Sequence, residues 1–413
     1  MKIAVLAGGV FPSLSKTFII DQITELIDLG HEVDIYAAEP DSQNIVHPDV
    51  EKYQLKKHIY YHKVPKNSLV RLRKLTGIWL ANFAKNPAVM LRTLNVFKYG
   101  KKALSLRLLY LAIPYLGKQP YDIVHCHFGY NGLKGQALRD LGVLRGKLIV
   151  TFHGVSMSKD LQEQGVQIYN RLFEKGDLFL PISEHWQHKL IKLGCDESKI
   201  IVHRMGIDCH NFAFMSRQPA ADGVTRLVSI SRLVEKKGLE YGIRAVAKLA
   251  KTKPNLEYNI VGDGLLKPKL QELIQELNVG NLVKLLGWKQ KTEVIDILNN
   301  SHILLAPSIT AKNGDREGIP VALMEAMAMG LPVISSLHSG IPELVTDGIS
   351  GFLIPERDVE GIAAKLNFLI EHPEMWSQMG KAGRAIVEAN YDINKLNHRL
   401  LEIYQELCRD EQC

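Results

Sequence analysis

The chain has 413 residues, 46% hydrophobic and 23% charged, with a formal net charge of +7. That is the balance of a soluble globular protein long enough for two or three cored domains, and no run approaches the roughly 18 apolar residues that a membrane helix needs. Five cysteines (126, 195, 209, 408 and 413) lack C-x2-C spacing, which argues against a disulfide framework or zinc site and for free thiols in a reducing, cytoplasmic setting.

In chain order, Ile3–Ala7 reads as a strand turning at Gly8-Gly9, since no secretory cleavage pattern follows it. Val33–Ala37 is the next strand. From Lys52 to Tyr121 there is no Asp or Glu, while fifteen Lys or Arg occur, among them Arg71, Arg73, Lys74, Lys101 and Lys102. Leu69, Leu72, Leu75, Ile78, Trp79, Leu80, Phe83, Leu91 and Phe97 interleave with them, the pattern of basic amphipathic helices. Three readings stand: an anionic membrane surface, which is favoured; a solvated face over a core; and nucleic acid, for which no motif is visible.

Further strands are predicted at Ile123–His127, Leu148–Phe152 and Leu178–Pro181. A second series follows at Arg226–Ser231, Leu256–Val261, Val283–Leu286, Ile303–Pro307, Pro332–Ser335 and Gly351–Ile354. Strands alternating with helical patterns indicate parallel α/β sheets, and two series indicate two doubly wound domains. The predicted division is a first domain over 1–205 with the basic insertion at 52–121, an aperiodic linker at 206–225, a second domain over 226–385, and a C-terminal helix over 386–413. His125, His127 and His153 fall at the C-terminal ends of strands, where histidines are commonly structural; His125 is read as buried support.

In the second domain, Ser229-Ile230-Ser231-Arg232-Leu233-Val234-Glu235-Lys236-Lys237-Gly238 ends a strand and opens a helix, where open α/β sheets place ligands. Val261-Gly262-Asp263-Gly264 and Leu286-Gly287-Trp288 are tight turns after the next two strands. Glu317 and Glu325 stand eight positions apart. Pro320 suits the first turn of a helix and Gly330 its stop, so Glu317 lies in the entering loop and Glu325 projects from the helix. Their separation of roughly 8 to 12 Å, at 1.5 Å rise per residue, approximates the span of a nucleotide-linked sugar. The amides of Gly318 and Ile319 at the helix mouth form a ready anion site. No Asp-x-Asp occurs.

The Glu317/Glu325 arrangement, with the Arg232–Lys237 segment, closely resembles the retaining, nucleotide-sugar-dependent glycosyltransferases of GT-B type, family 4. Phe11–Ile19 resembles the subset that builds exopolysaccharides such as colanic acid and amylovoran, although that subset carries Glu where this chain has Lys16. The resemblance implies a GT-B fold, two Rossmann-like domains facing a central cleft, with the C-terminal helix crossing back to the first domain. It implies that Glu317 holds donor-sugar hydroxyls and Glu325 the ribose diol, and that Arg232 and Lys237 bind the diphosphate. Gly262 and Gly264 then lie beneath the nucleotide, with Gly287 and Trp288 beside the base. Gly318 and Ile319 face the β-phosphate, and Gly9 lies near donor phosphate and acceptor. His153 contacts the donor sugar or the reacting centre, with His127 nearby.

The expected activity is transfer of a hexose from a nucleoside-diphosphate sugar, UDP-linked by preference, to a lipid-linked oligosaccharide with retention of configuration. It is expected to need no cofactor and no metal, and to work at the inner face of the membrane. The rivals are a sugar-nucleotide epimerase or phosphorylase of the same architecture and a non-catalytic, membrane-associated sugar-binding component.

Overall fold

The computed structural model describes residues 1–13, 16–41 and 47–409. Leu14 and Ser15 of the Phe11–Ile19 segment, Cys413 and the end of the C-terminal helix prediction lie outside the described residues. The first sheet comprises β1 (Lys2–Leu6), β2 (Glu32–Ala37), β3 (Ile59–Tyr61), β4 (Ile123–His127), β5 (Lys147–Phe152) and β6 (Leu178–Pro181), in the order β3-β2-β1-β4-β5-β6. The second comprises β7 (Thr225–Ile230), β8 (Leu256–Val261), β9 (Val283–Gly287), β10 (Ile303–Ala306), β11 (Val333–Ser336) and β12 (Gly351–Ile354), in the order β12-β11-β10-β7-β8-β9. Every pairing is parallel. Helices cover both faces, which is why strands such as Ile-Val-His-Cys-His are buried throughout.

Counted from its own first strand, each sheet has the doubly wound order 3-2-1-4-5-6. The order reverses between β1 and β4 and again between β7 and β10, and ligands bind at such switch points. The turns after those strands bring Gly8-Gly9, His127, Ser231–Lys237 and Pro307–Gly318 to the two sides of one cleft.

Glycine is obligatory in the turn after β8. Gly262 has φ +136°, and a Cβ there would lie 1.8 Å from the Ser231 carbonyl oxygen, so backbone packs directly on backbone beneath the Arg232 loop.

The acid-free stretch differs from the expectation of an insertion over 52–121 made of amphipathic helices. Lys52 ends the helix Pro48–Lys52, and Ile59–Tyr61 is an edge strand paired with β2, so the insertion proper begins after Tyr61. It is a chain of short helices: Ser68–Arg73, Leu75–Asn82, Pro87–Thr93, Val96–Tyr99, Lys101–Leu104 and Arg107–Ala112. Asparagines restart the backbone repeatedly. The side chains of Asn67, Asn86 and Asn95 accept from the amides of Leu69 (2.8 Å), Val89 (3.1 Å) and Lys98 (3.0 Å), the N-cap geometry that favours a fresh start. Leu108, Leu109 and Tyr115 join the core, whereas Leu69, Leu72, Leu80, Leu91, Phe97 and Leu104 are exposed.

Arg71, read from sequence as a surface cation, is buried. It donates to the carbonyls of Ser105 (2.7 Å), Pro65 (2.6 Å) and Lys66 (3.0 Å), stapling the first helix of the insertion to a later one.

The last helix, Ile393–Arg409, lies on the first domain. Leu400, Ile403 and Tyr404 pack with Ile3, Val5 and Ile123, and the Tyr404 hydroxyl meets His125 Nδ1 at 2.6 Å. No helix among the described residues is long and apolar enough to cross a membrane. Cys126, Cys195 and Cys209 are free thiols.

Replacing Arg71 by Met keeps the aliphatic stem but leaves three carbonyls without their donor. Bonds to a charged group are worth about 1.5–3 kcal/mol, so local stability should fall by about that much. Hydrogen exchange should accelerate across residues 68–105 while the two sheets keep their protection.

Candidate active site in the interdomain cleft

The loop from β10 to the helix Val321–Ala328 carries Glu317 at its tip. Pro320 is the N-cap of that helix, one position earlier than its predicted place in the first turn, and Gly330 (φ +84°) terminates it as expected. Glu317 is buried. Its Oε1 lies 3.1 Å from Lys237 Nζ and 3.6 Å from Lys236 Nζ. Burial alone would raise its pKa, but the two ammonium groups outweigh burial and hold it at about 2. The carboxylate is therefore ionised at any physiological pH.

Three residues that sequence reasoning missed fix this loop. Lys236 reaches Asp315 (3.2 Å) and the Arg316 carbonyl (3.2 Å). His338, just after β11, accepts from the Glu317 amide at 3.1 Å through Nε2, while its Nδ1 meets Glu356 at 2.7 Å. Glu356 thereby sets the tautomer of His338, since Nδ1 must carry the proton. The signal for His338 was the one that singled out His127 and His153, a histidine following a parallel strand. For Lys236 it was adjacency to Lys237.

Glu325 projects from the middle of its helix and is half-buried, with no side-chain hydrogen bond among the described residues. Burial pushes its pKa up to about 7, opposed only in part by the charge of Lys291. The carboxylates thus differ in state: one caged by cations, one bare. Arg232 is exposed and its guanidinium likewise makes no hydrogen bond among the described residues. A Cβ on Gly318 would lie 2.4 Å from the terminal methyl of Ile182, which would have to shift to admit it. Ile319 is buried and Trp288 is partly exposed. Gly287 (φ +72°) ends β9, and Gly264 (φ +157°) lies in the turn after β8.

From the first domain, the segment at Gly9 (φ +53°) is held by Lys16, whose ammonium donates to the carbonyls of Ala7 (3.3 Å), Gly8 and Val10 (2.9 Å). Burial and the nearby Lys134 lower the Lys16 pKa to about 8. This is the position where the resemblance leads one to expect Glu; here a cation braces the glycine turn from inside. His127 and His153 are buried neighbours, Nδ1 to Nε2 3.4 Å. Burial, reinforced by surrounding positive charge, holds His153 at about 3 and His127 well below the usual histidine range. Both are neutral imidazoles that can exchange hydrogen bonds with hydroxyls but carry no charge. His125 is fully buried between Tyr404 and Thr151 (2.6 and 2.7 Å).

The two domains are in contact around these residues. A Cβ on Gly154 would lie 2.9 Å from the Gly318 nitrogen, and the Arg316 amide donates to Ser158 Oγ at 3.3 Å. Glu343 accepts from the amides of Glu184 and His185, both 2.9 Å, at the start of a first-domain helix, and Arg204 ties Glu343 to Glu184. Asp21, His47 and Asp49 offer ligand atoms within 4.8 Å of one another, the group among the described residues close enough to share a metal.

Residues 15–211 match the family described as Glycosyltransferase Family 4, and residues 212–386 that described as Glycosyl transferases group 1. The amylovoran biosynthesis glycosyltransferase AmsK of Erwinia amylovora is 40% identical over 96% of this chain and 98% of its own length. The chain belongs to the family 4 glycosyltransferases. A WcaL protein of Salmonella typhimurium, named for colanic acid biosynthesis, is 38% identical over 96% of this chain and 98% of its own. Among solved structures, Anabaena HepE in complex with UDP-glucose shares the fold with a TM-score of 0.72 over 98% of this chain and 100% of that one, at 19% identity. The GT-B architecture expected from the sequence is present in full.

The raised pKa of Glu325 makes a stability prediction for this family member. A carboxyl whose folded pKa (about 7) exceeds its unfolded value (4.5) stabilises the fold fully below the unfolded pKa, and that contribution is lost as pH rises through about 7. Glu325→Gln, a neutral isostere, should therefore raise the thermal unfolding temperature of the ligand-free protein at pH 8 and leave it nearly unchanged at pH 4.5. Equal effects at both pH values would contradict the half-buried, bare carboxyl.

Proposed function

We propose that this enzyme moves a hexose from a nucleoside-diphosphate sugar, UDP-linked, to a lipid-linked oligosaccharide in exopolysaccharide synthesis, with retention and without a metal. The observation that carries the reading is the pair of carboxylates about one helix: buried Glu317 in the entering loop, held ionised beside Lys237, and half-buried Glu325 in the helix, with no partner among the described residues. An ionised carboxylate is acceptor-only and suits a vicinal diol. Glu325 takes the ribose and Glu317 the transferred sugar. Relatives named for amylovoran and colanic acid biosynthesis support the polysaccharide context, and the UDP-glucose complex of the similarly folded HepE supports the donor class.

In the proposed reaction, the bond from the sugar C1 to the β-phosphate oxygen breaks while the acceptor oxygen bonds to C1 on the same face. The acceptor proton passes to the departing phosphate oxygen. Arg232, Lys237 and the amides of Gly318 and Ile319 stabilise the charge that accumulates on the nucleoside diphosphate, the role a metal fills elsewhere. His153 and His127, both neutral, orient hydroxyls at the reacting centre. Gly262, Gly264 and Gly287 let the backbone approach the nucleotide, and Gly9 does so from the acceptor side.

Hydrolysis of a panel of nucleotide sugars by the purified protein tests the reading directly. Turnover should appear with a UDP-sugar and survive EDTA; an absolute need for added divalent metal would move attention to the Asp21, His47 and Asp49 group. Glu325→Gln should weaken donor and free nucleoside diphosphate alike by roughly 10- to 100-fold, the value of a charge-assisted hydrogen bond. Glu317→Gln should depress transfer with nucleoside diphosphate affinity nearly intact. Equal loss of nucleotide affinity in both variants would refute this division of labour.

The insertion supports docking on an anionic membrane. Exposed Leu69, Leu72, Leu80, Leu91, Phe97 and Leu104 share this stretch with exposed Arg73, Lys74, Lys98, Lys101 and Lys102, a combination of apolar and cationic side chains that suits a charged interface over acyl chains. Arg71, being a buried staple, is left intact in the test. Neutralising Arg73, Lys74, Lys101 and Lys102 together removes about 1 kcal/mol each. Binding to anionic vesicles should fall about a thousandfold, and transfer to lipid acceptors with it, while donor hydrolysis continues. Unchanged, salt-insensitive vesicle binding would leave the insertion a solvated face.

A further inference from the structure

Beneath the cleft, at the C-terminal ends of β4 and β5, lies a cavity of about 30 Å³, room for a couple of water molecules. Its polar walls come from five separate segments: Gln22 of the helix Thr17–Asp28, His127, Thr151 with His153, His203 of the segment after the first sheet, and Asn397 of the last helix. Gln22 is 7% exposed and Asn397 6%, and neither side-chain amide has a hydrogen bond among the described residues. His127, 3% exposed, has its Nε2 buried without a partner. Orphaned buried polar groups cost about 1–3 kcal/mol each. One such atom, His127 Nε2, beside two side-chain amides with no hydrogen bond among the described residues, indicates a site shaped for a ligand that supplies the missing bonds.

The chemistry of the walls selects the ligand class. No carboxylate lines the cavity, and the metal-sized cluster among the described residues lies elsewhere, so a cation is not favoured. Arg204, its one charged neighbour, is already engaged by Glu184 and Glu343, so an anion is not favoured either. What remains is a set of neutral imidazoles and amides, each able both to give and to accept a hydrogen bond, which is the need of a hydroxyl. Phe18, whose ring lies 5.0 Å from His153, supplies an apolar wall for a C–H face. None of the lining residues comes from the donor loops of the second domain, yet the residue after His153 touches the Gly318 loop.

We infer that this cavity receives a hydroxyl-bearing edge of the acceptor's terminal sugar, a subsite whose polar groups come from the first domain and the last helix. The volume admits a hydroxymethyl group or a diol edge and excludes a whole ring, so the ring itself rests toward the cleft. The inference depends on the transferase reading above and adds Gln22, His203 and Asn397 to the residues that choose the acceptor.

The test uses the full-length protein with ring-labelled histidine, observed by NMR while methyl hexosides are titrated in; donor hydrolysis is measured on the same preparation. At least one hexoside should shift the His127 and His203 resonances. Asn397→Leu and, independently, Gln22→Leu should weaken that binding tenfold or more and raise the acceptor KM by a similar factor, with the donor KM changed less than twofold. If donor is hydrolysed but no hexoside moves these resonances, or if the shifts persist unchanged in both leucine variants, the subsite is wrong and the transferase reading stands. If no nucleotide sugar is hydrolysed, the transferase reading fails and the acceptor assignment fails with it.

Discussion

A carboxylate removed from water must find positive charge or give up its own, and Glu317 finds it in Lys236 and Lys237. That constraint organises the second domain. The two lysines lie in the turn after β7 and Glu317 in the loop after β10, strands that are neighbours in the sheet, so the ion pair bridges the switch point where the strand order reverses. Lys236 fastens the loop through Asp315 and the Arg316 carbonyl, and His338 fixes the Glu317 amide from β11. Removing one partner of such a buried pair leaves an uncompensated charge, which costs more than the pair itself is worth. The geometry of the loop is accordingly specified by charge as much as by packing.

The contrast with Glu325 is informative because the two carboxylates are eight residues apart and chemically identical. Glu325 has the distant Lys291 as its only named counter-charge and sits near pKa 7, whereas Glu317 sits near 2. The protein therefore keeps one group permanently charged and the other poised to titrate. On the histidine side of the cleft the same logic runs in reverse: burial and the Lys16 ammonium keep His127 and His153 neutral. The cleft as a whole places fixed charge at one wall and uncharged hydrogen-bonding groups at the other.

Much of this was legible in the sequence, for physical reasons that also explain the exceptions. Strands buried on both faces write themselves as apolar runs, so β1, β4, β8 and β12 were placed within a residue or two. β3 is three residues at a sheet edge, too short for any period to register. The acid-free stretch announced an unusual surface by composition, but its division into short helices depends on asparagine caps at 67, 86 and 95 that an amphipathic pattern does not reveal. Arg71 illustrates the limit best, since a cation among cations gives no hint that its neighbours are three backbone carbonyls. Of the cleft residues, Glu317, Glu325, Arg232 and Lys237 carried a spacing that could be read. Lys236, His338 and Glu356 act on backbone or on each other, a relation visible only after folding.

The placement of the last helix bears on how the molecule is made. Tyr404 and Leu400 complete a core that includes Ile3 and Val5, so β1 has its helix layer closed by a segment about 400 residues further along the chain. The second sheet, by contrast, is drawn wholly from 225–354 and has all its strands in hand while the first is still missing a side. The part of the first-domain core that Leu400, Ile403 and Tyr404 cover is therefore closed only once the strands of the second sheet have been made.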